Sequence, residues 1–279
     1  VDKPAGVTSH DVVAQTRRRF GTRRVGHAGT LDPAATGVLV LGLGKATRLL
    51  TYLVGDDKDY AATIRLGASM TTDDSEGEVL AVAASDRVAA VTDDQIRSAA
   101  VALTGELQQR PSSVSAIKVD GERAYARVRA GEDVELPARP VTVHEFAIDT
   151  IERGETFVDV DVRVRVSSGT YVRALARDMG DALGVGGHLT SLRRTRSGRF
   201  NIDDASNELV PLGLALSQSM PTYELTGEQV IDIGYGRAVE APPSAHGTVG
   251  AVGLVDSDGD AVAIGDVRDG AFTPKVVFA

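Results

Sequence analysis

This chain of 279 residues contains no cysteine and no tryptophan. The missing cysteine excludes disulfides, iron–sulfur clusters, thiolate zinc sites and cysteine nucleophiles. Aromatic residues are only 4% of the chain, so a platform for stacking nucleic-acid bases would rest on a single ring. Long apolar runs are absent as well. Stretches such as Val38–Gly44 fall far short of the roughly 20 apolar residues that cross a bilayer. With no charged-then-apolar leader in view, a cytoplasmic protein without membrane contact is expected. Asp56, Asp57, Asp59 and the Asp73-Asp74-Ser75-Glu76 cluster suit weak Mg²⁺ binding, but no HxH or HExxH spacing accompanies them. No metal site is therefore expected. Gly42-Leu43-Gly44-Lys45 lacks the remainder of a phosphate loop, and no internal repeat or low-complexity segment occurs.

What is present in excess is acid, 39 Asp+Glu against 30 Lys+Arg, a formal net charge of −9. Taken alone, that balance counts against a nucleic-acid partner. Its distribution reverses the inference. After residue 200 twelve acids face only Arg237, Arg268 and Lys275, so this tail carries 3 − 12 = −9, the whole net charge. Within the neutral remainder, Arg17, Arg18, Arg19, Arg23, Arg24, Lys45 and Arg48 are opposed only by Asp32. Between Arg163 and Arg199 eight Arg stand against Asp178 and Asp181. A compensating stretch, Asp56 to Glu106, holds eleven acids. Charge runs are commonly just solvated faces, but Arg is the side chain suited to bidentate phosphate contact. The two Arg blocks have the form of a polyanion footprint.

The patterning predicts an α+β body of about 220 residues with a mixed or antiparallel central sheet flanked by helices, followed by a small all-β appendage. Thr8 or Ser9 can cap a helix ending at Gly21. His27–Pro33 reads as a loop, and Asp32-Pro33 as an N-cap followed by Pro at the first helical position. Lys45–Leu53 has helical spacing, and the segment from Tyr60 to Leu66 alternates as a strand. Thr92 and Gln95 form a capping box for a helix ending at Gly105. Val114–Val119 is expected as a strand, Asp120-Gly121 as a turn and Glu122–Ala130 as a helix. In Phe157–Ser167 five Val face one way, with Asp159, Asp161, Arg163 and Arg165 opposite, the mark of a sheet with one wet face. A helix over Thr170–Leu183 and a strand over His188–Phe200 follow, then a connection, Asp203–Met220. From Thr222 short Val/Ile/Ala runs punctuated by Gly and Asp suggest a small barrel.

Four residues draw chemical interest. Asp32, the lone acid in a basic block, reads either as an N-cap or as a carboxylate held ionised by Arg, available as nucleophile or base. Arg173 falls in a helix's first turn, where the macrodipole disfavours cations. It either turns to water or meets an anion, a carboxylate such as Asp32 or an RNA phosphate. Tyr60 is a core ring or a stacking platform, and His27 an acid–base group, a hydrogen-bonding wedge or neither.

Longer motifs carry a resemblance. Val1-Asp2-Lys3-Pro4-Ala5-Gly6 with Ser9 is followed by Gly26-His27-Ala28-Gly29-Thr30-Leu31-Asp32-Pro33-Ala34-Ala35-Thr36-Gly37-Val38-Leu39. Lys58-Asp59-Tyr60, Leu66-Gly67 with Thr72-Asp73, Gln109-Arg110-Pro111-Ser112 and Ser115-Ala116-Ile117-Lys118 come next. Ala138-Arg139-Pro140-Val141, Ser168-Gly169-Thr170-Tyr171-Val172-Arg173 and Gly187-His188-Leu189-Thr190-Ser191-Leu192-Arg193-Arg194 complete the set. In this order they resemble the bacterial tRNA pseudouridine synthase B (TruB) family across nearly all of residues 1–200.

The resemblance implies a pseudouridine synthase fold and isomerisation of the T-loop uridine of tRNA, conventionally position 55, without cofactor or obligatory protein partner, by a monomer. Residues 1–220 would form the catalytic domain, with 108–140 an inserted thumb, and 221–279 a PUA-like RNA-binding domain, departing from that pattern in being short and acidic. By family correspondence Asp32 is the catalytic carboxylate, paired with Arg173. Tyr60 stacks on the flipped base, His27 holds the opened loop, Leu192 lines the pocket and Lys3 orders the strand beneath it. Arg18, Arg110, Lys118, Arg127 and Arg193, together with Arg123 and Arg129 of the thumb, suit phosphate contacts. Three other readings compete: a T-arm-binding tRNA chaperone with catalysis secondary, a Mg²⁺-dependent phosphotransferase and a guide-RNA-dependent homologue.

Overall fold

The computed structural model describes residues 1–112, 136–206 and 208–278, together with the backbone of 118–119 and 122–123. The described strands begin with β1 (Asp2–Lys3), β2 (Val25–Ala28), β3 (Thr36–Val38), β4 (Val40–Leu43) and β5 (Lys58–Leu66). Next come β6 (Ala68–Met70), β7 (Val79–Val82), β8 (Gly105–Gln109), β9 (Lys118–Val119) and β10 (Glu122–Arg123). The body closes with β11 (Arg139–Arg153), β12 (Val158–Val166), β13 (Gly187–Ser197) and β14 (Phe200–Asn201). Its helices are α1 (Ser9–Phe20), α2 (Leu50–Leu53), α3 (Ser85–Ala90), α4 (Asp93–Ala102) and α5 (Val172–Leu183).

The central sheet runs β1-β3-β13-β5-β12-β11-β8, with β14 on β13. Only the β3–β13 pair is parallel, so the sheet is mixed. The alternation in β12 decides which face is covered. Val158, Val160, Val162, Val164 and Val166 are all buried, packed with Ile96 and Ala100 of α4 and Leu175, Ala176 and Met179 of α5. Full burial of one such aliphatic side chain is worth about 1.5–3 kcal/mol, which makes this face the main driving force of the body. On the wet face polar cross-strand pairs form, among them the ion pair of Arg65 with Asp159 at 2.6 Å and the hydrogen bond from the Thr63 hydroxyl to Asp161 at 2.6 Å. Gly180 brings α5 against the start of β13: a Cβ there would stand 2.1 Å from the backbone of Gly186 and Gly187.

Several local expectations are corrected. No helix starts at Asp32-Pro33; the chain makes a single turn, Ala35 N–H to Asp32 O, and enters β3. The Pro33 carbonyl, which an α-helix would give to residue 37, instead accepts from the Gly6 N–H and the Lys3 ammonium. His27 is not in a loop but in β2, paired with Leu41 of β4. Lys45–Leu53 divides into a 3₁₀ segment over Gly44–Arg48 and the one-turn α2. The helix capped by Thr92 stops at Ala102, and Gly105 opens a strand instead. Glu122–Arg123 is strand, pairing with Lys118–Val119, where a helix was expected to begin; residues 124–130 lie outside the described part.

Beyond residue 200, α6 (Leu212–Ser219) and α7 (Gly227–Gly234) accompany a second sheet. Its strands are β15 (Thr222–Glu224), β16 (Val239–Glu240), β17 (Ala251–Val255), β18 (Ala261–Arg268) and β19 (Ala271–Val277), in the order β15-β17-β18-β19-β16. Leu216 of α6 packs with Leu49, Leu50 and Leu53 of the body and with Ile264 and Phe278, so one apolar cluster joins the body to the second sheet. Among the described residues no helix is long and apolar enough to cross a membrane.

Candidate active site

Asp32 stands in the Leu31–Ala35 loop at the edge of a cavity of about 280 Å³. Its carboxylate Oδ2 lies 3.1 Å from Nε of Arg173. The other oxygen, Oδ1, has no hydrogen bond among the described residues, and 41% of the side chain is exposed. Arg173 is buried in the first turn of α5, an unfavourable position for a cation. Among the described residues two carboxylates compensate it, Asp32 and Asp74 Oδ2 at 3.5 Å, while its NH1 also donates to Thr72 O at 2.8 Å. One turn later Arg177 reaches Asp73 Oδ2 at 3.0 Å, Asp178 and the Arg110 carbonyl. The Asp73-Asp74 pair weighed as a weak Mg²⁺ site is therefore committed to two Arg of one helix face. Burial holds the Asp73 carboxyl above the usual carboxylate range, with Arg177 opposing.

Tyr60 on β5 lies beside Val164 of β12 and Arg194 of β13. Its ring packs on the valine core and lines the cavity, as does Leu192 of β13. Asp32, Arg173, Tyr60 and Leu192 thus meet at one cavity. Lys3 and His27 do not line it. Lys3 is fully buried and donates to Pro4 O, Val7 O and Pro33 O, the last tying it to the residue after Asp32. Burial pulls its pKa below the ordinary lysine value, against the raising effect of Asp32. The His27 Nδ1 is buried without a hydrogen-bond partner among the described residues, and its ring meets His10 edge-on at 5.7 Å. Burial, then the His10 and Arg194 charges, lower its pKa, against a smaller raising influence of the Gly29 backbone.

The expected phosphate contacts divide. Arg18 is exposed in the last turn of α1 beside Arg17 and Arg19, where cations complement the helix dipole. Arg110 is exposed at the end of β8. Arg193 is half-buried and already makes a bidentate pair with Asp2, at 3.1 and 2.7 Å. The side chains of Lys118, Arg123, Arg127 and Arg129 lie outside the described residues, as does most of the expected thumb 108–140.

Two charged residues that line the cavity, Lys58 and Arg194, carry no role in the expectations drawn from sequence. Arg194 is 1% exposed and donates to Val38 O at 2.7 Å and Gly29 O at 3.0 Å. Lys58 is buried and donates to Val54 O and Asp56 O. Burial, followed by the Arg194 charge, lowers its pKa. The available signal was phase: Lys58 shares a strand face with Tyr60, and Arg194 with Leu192. Chemically, the cavity offers a ring for a planar base, an aliphatic wall, and an accessible carboxylate oriented by a buried cation.

Comparison with known proteins shows the family of the chain. The family described as "TruB family pseudouridylate synthase (N terminal domain)" matches residues 17–172, and "tRNA pseudouridylate synthase B C-terminal domain" matches 173–214. The chain belongs to the TruB family. As a TruB-family protein it is a pseudouridine synthase, an RNA-binding isomerase of tRNA modification. It is 54% identical over 294 residues to a tRNA pseudouridine synthase B of Arthrobacter sp. (strain FB24), covering 100% of this chain and 95% of that one. Another TruB relative, from Thermobifida fusca (strain YX), is 52% identical over 291 residues, covering 100% and 97%. The fold is also that of a solved H/ACA ribonucleoprotein bound to a substrate RNA containing 2′-deoxyuridine, with a TM-score of 0.71 and 25% identity over 100% of this chain and 83% of that one. A Cbf5-Nop10-Gar1 complex superposes with a TM-score of 0.70 at 27% identity, covering 100% and 83%.

Proposed function

We propose that this TruB-family enzyme converts the uridine at position 55 in the T-loop of tRNA to pseudouridine, acting as a cytoplasmic monomer without cofactor. The N1–C1′ bond breaks, the uracil turns in place and a C5–C1′ bond forms; C5 gives up a proton and N1 gains one, so atoms balance without an outside reactant. The target base leaves its stack to enter the cavity, and Tyr60 stacks on it there. Leu192 packs against the base. Asp32 supplies the carboxylate on which bond exchange depends. Arg173 holds that carboxylate in place through the contact of its Nε with Asp32 Oδ2 at 3.1 Å. Lys3 steadies the loop through Pro33, and His27 keeps the opened T-loop from closing. Arg18, Arg110, Lys118, Arg127 and Arg193 carry phosphate contacts, with 108–140 acting as thumb. Residues 1–220 form the catalytic domain and 221–279 a PUA-like domain that adds tRNA contact.

The observation that carries this reading is the buried Arg173 guanidinium 3.1 Å from Asp32 at the edge of a cavity that Tyr60 also lines. Asp32→Asn tests it. The variant is expected to bind a tRNA transcript as the parent does and to form no pseudouridine, whereas a parental rate would remove Asp32 from the chemistry.

A further inference from the structure

The loop carrying Asp32 is held by little regular structure. From Leu31 to Ala35 it has no strand pairing, yet it must present a carboxylate to a reacting base. Its backbone is anchored at two points, one on each side of Asp32. Pro33 O is held by Lys3 and Gly6, and among the described residues Leu31 is held by one hydroxyl alone. Ser9 Oγ donates to Leu31 O at 3.0 Å and accepts from Leu31 N–H at 2.9 Å. One side chain thus satisfies both polar groups of the residue preceding Asp32, from 22 positions away. Ser9 is 1% exposed, so water does not compete for these bonds.

The helix that carries Ser9 does not need this hydroxyl. Thr8 is its N-cap: the Thr8 side chain accepts from Asp11 N–H, and the Asp11 carboxylate accepts from Thr8 N–H, closing a capping box. Ser9, the first helical residue, is left with its hydroxyl directed across to Leu31. The Leu31 side chain is itself buried and lines the cavity, so a shift of its backbone moves both the cavity wall and Asp32.

We propose that Ser9 is a positioning residue for the isomerisation, fixing Leu31 and through it the carboxylate of Asp32. The proposal rests on the reading of Asp32 as the catalytic carboxylate. Removing the hydroxyl leaves a buried N–H and C=O unpaired, and the loop relaxes to satisfy them. A misplacement of about 1 Å at a reacting group can cost on the order of a hundredfold in rate. Ser9 touches neither the cavity nor exposed surface, so tRNA affinity is unaffected.

The test compares single-turnover pseudouridine formation with tRNA binding for Ser9→Ala, Ser9→Thr and Asp32→Asn. Ser9→Ala is expected to lower the single-turnover rate about tenfold to a hundredfold while the tRNA Kd stays at the parental value. Ser9→Thr, which keeps the hydroxyl, is expected to retain most of the rate. Parental speed in Ser9→Ala, equal losses in both Ser9 variants, a Kd that weakens in step with the rate, or loss of the cooperative thermal transition in Ser9→Ala would each overturn the proposal. Asp32→Asn separates the two readings. If it is inactive while Ser9→Ala runs at parental speed, only the role of Ser9 falls. If Asp32→Asn itself runs at parental speed, the assignment of Asp32 falls first.

Discussion

Replacing Arg173 with Met is expected to damage folding and catalysis through different partners, and the two losses can be separated. The Arg173 side chain is 7% exposed and faces Asp74, 11% exposed, and Asp32, 41% exposed. Removing one partner of a buried ion pair costs about 3–5 kcal/mol, because the remaining charge is left without compensation. The half-exposed Asp32 rehydrates and contributes little of this. The Asp74 contact, at 3.5 Å, is longer than an ideal pair, which lowers its share. Adding about 1 kcal/mol for the lost bond to Thr72 O, the expected destabilisation is about 2–4 kcal/mol. Adding Asp74→Asn removes the stranded charge and should recover about half of that loss. It should recover none of the rate, which the proposed mechanism assigns to Asp32. Urea unfolding of the parent, both single variants and the double variant gives the cycle, with single-turnover pseudouridine formation run on the same four proteins. A stability of Arg173→Met within about 0.5 kcal/mol of the parent would refute the buried-pair reasoning. So would a double variant no more stable than Arg173→Met.

Further outcomes follow from other sites. For His27 the folded state lowers the pKa below the ordinary value of 6.5, so as pH falls below 6.5 the unfolded chain takes the proton first. The contribution of His27 to stability is therefore complete above 6.5 and declines through the interval beneath it. Urea midpoints should fall on acidification more steeply in the parent than in His27→Gln, and identical slopes would contradict this. Gly37 has φ +104° and a Cβ there would sit 2.1 Å from Arg194 O, a backbone atom that cannot step aside. Gly37→Ala is expected to destabilise by more than about 2 kcal/mol in thermal or urea unfolding; a change within about 0.5 kcal/mol would show that the β3–β13 contact yields. Arg18→Ala should weaken tRNA binding and reduce the slope of log Kd against log salt by about one unit or less. An unchanged slope would take Arg18 out of the phosphate contacts.

The sequence was most legible where one local pattern decides the outcome. Five Val at alternate positions of β12 could bury only one face, and the helices α4 and α5 lie on that face. The position of Arg173 in a helix's first turn signalled a nearby anion, and two carboxylates stand there. Legibility failed where remote residues override local preference. Asp32-Pro33 has the chemistry of a helix start, but Lys3 and Gly6 capture the carbonyl that the helix needs. The buried cations Lys58 and Arg194 were hidden for a related reason. Their burial depends on the β5–β13 register, which pairs Lys58 with Ser197 and Tyr60 with Arg194 across about 135 residues of chain. Net charge is misleading in the same way, since the −9 belongs wholly to residues after 200, none of which lines the cavity at Asp32.

The central claim is one reaction at one nucleotide, and mapping pseudouridine across tRNA transcripts incubated with the purified enzyme tests it directly. The account predicts conversion at position 55 of the T-loop, absent when Asp32→Asn replaces the parent. Conversion at another position with position 55 left as uridine, or no conversion in any transcript, would contradict it.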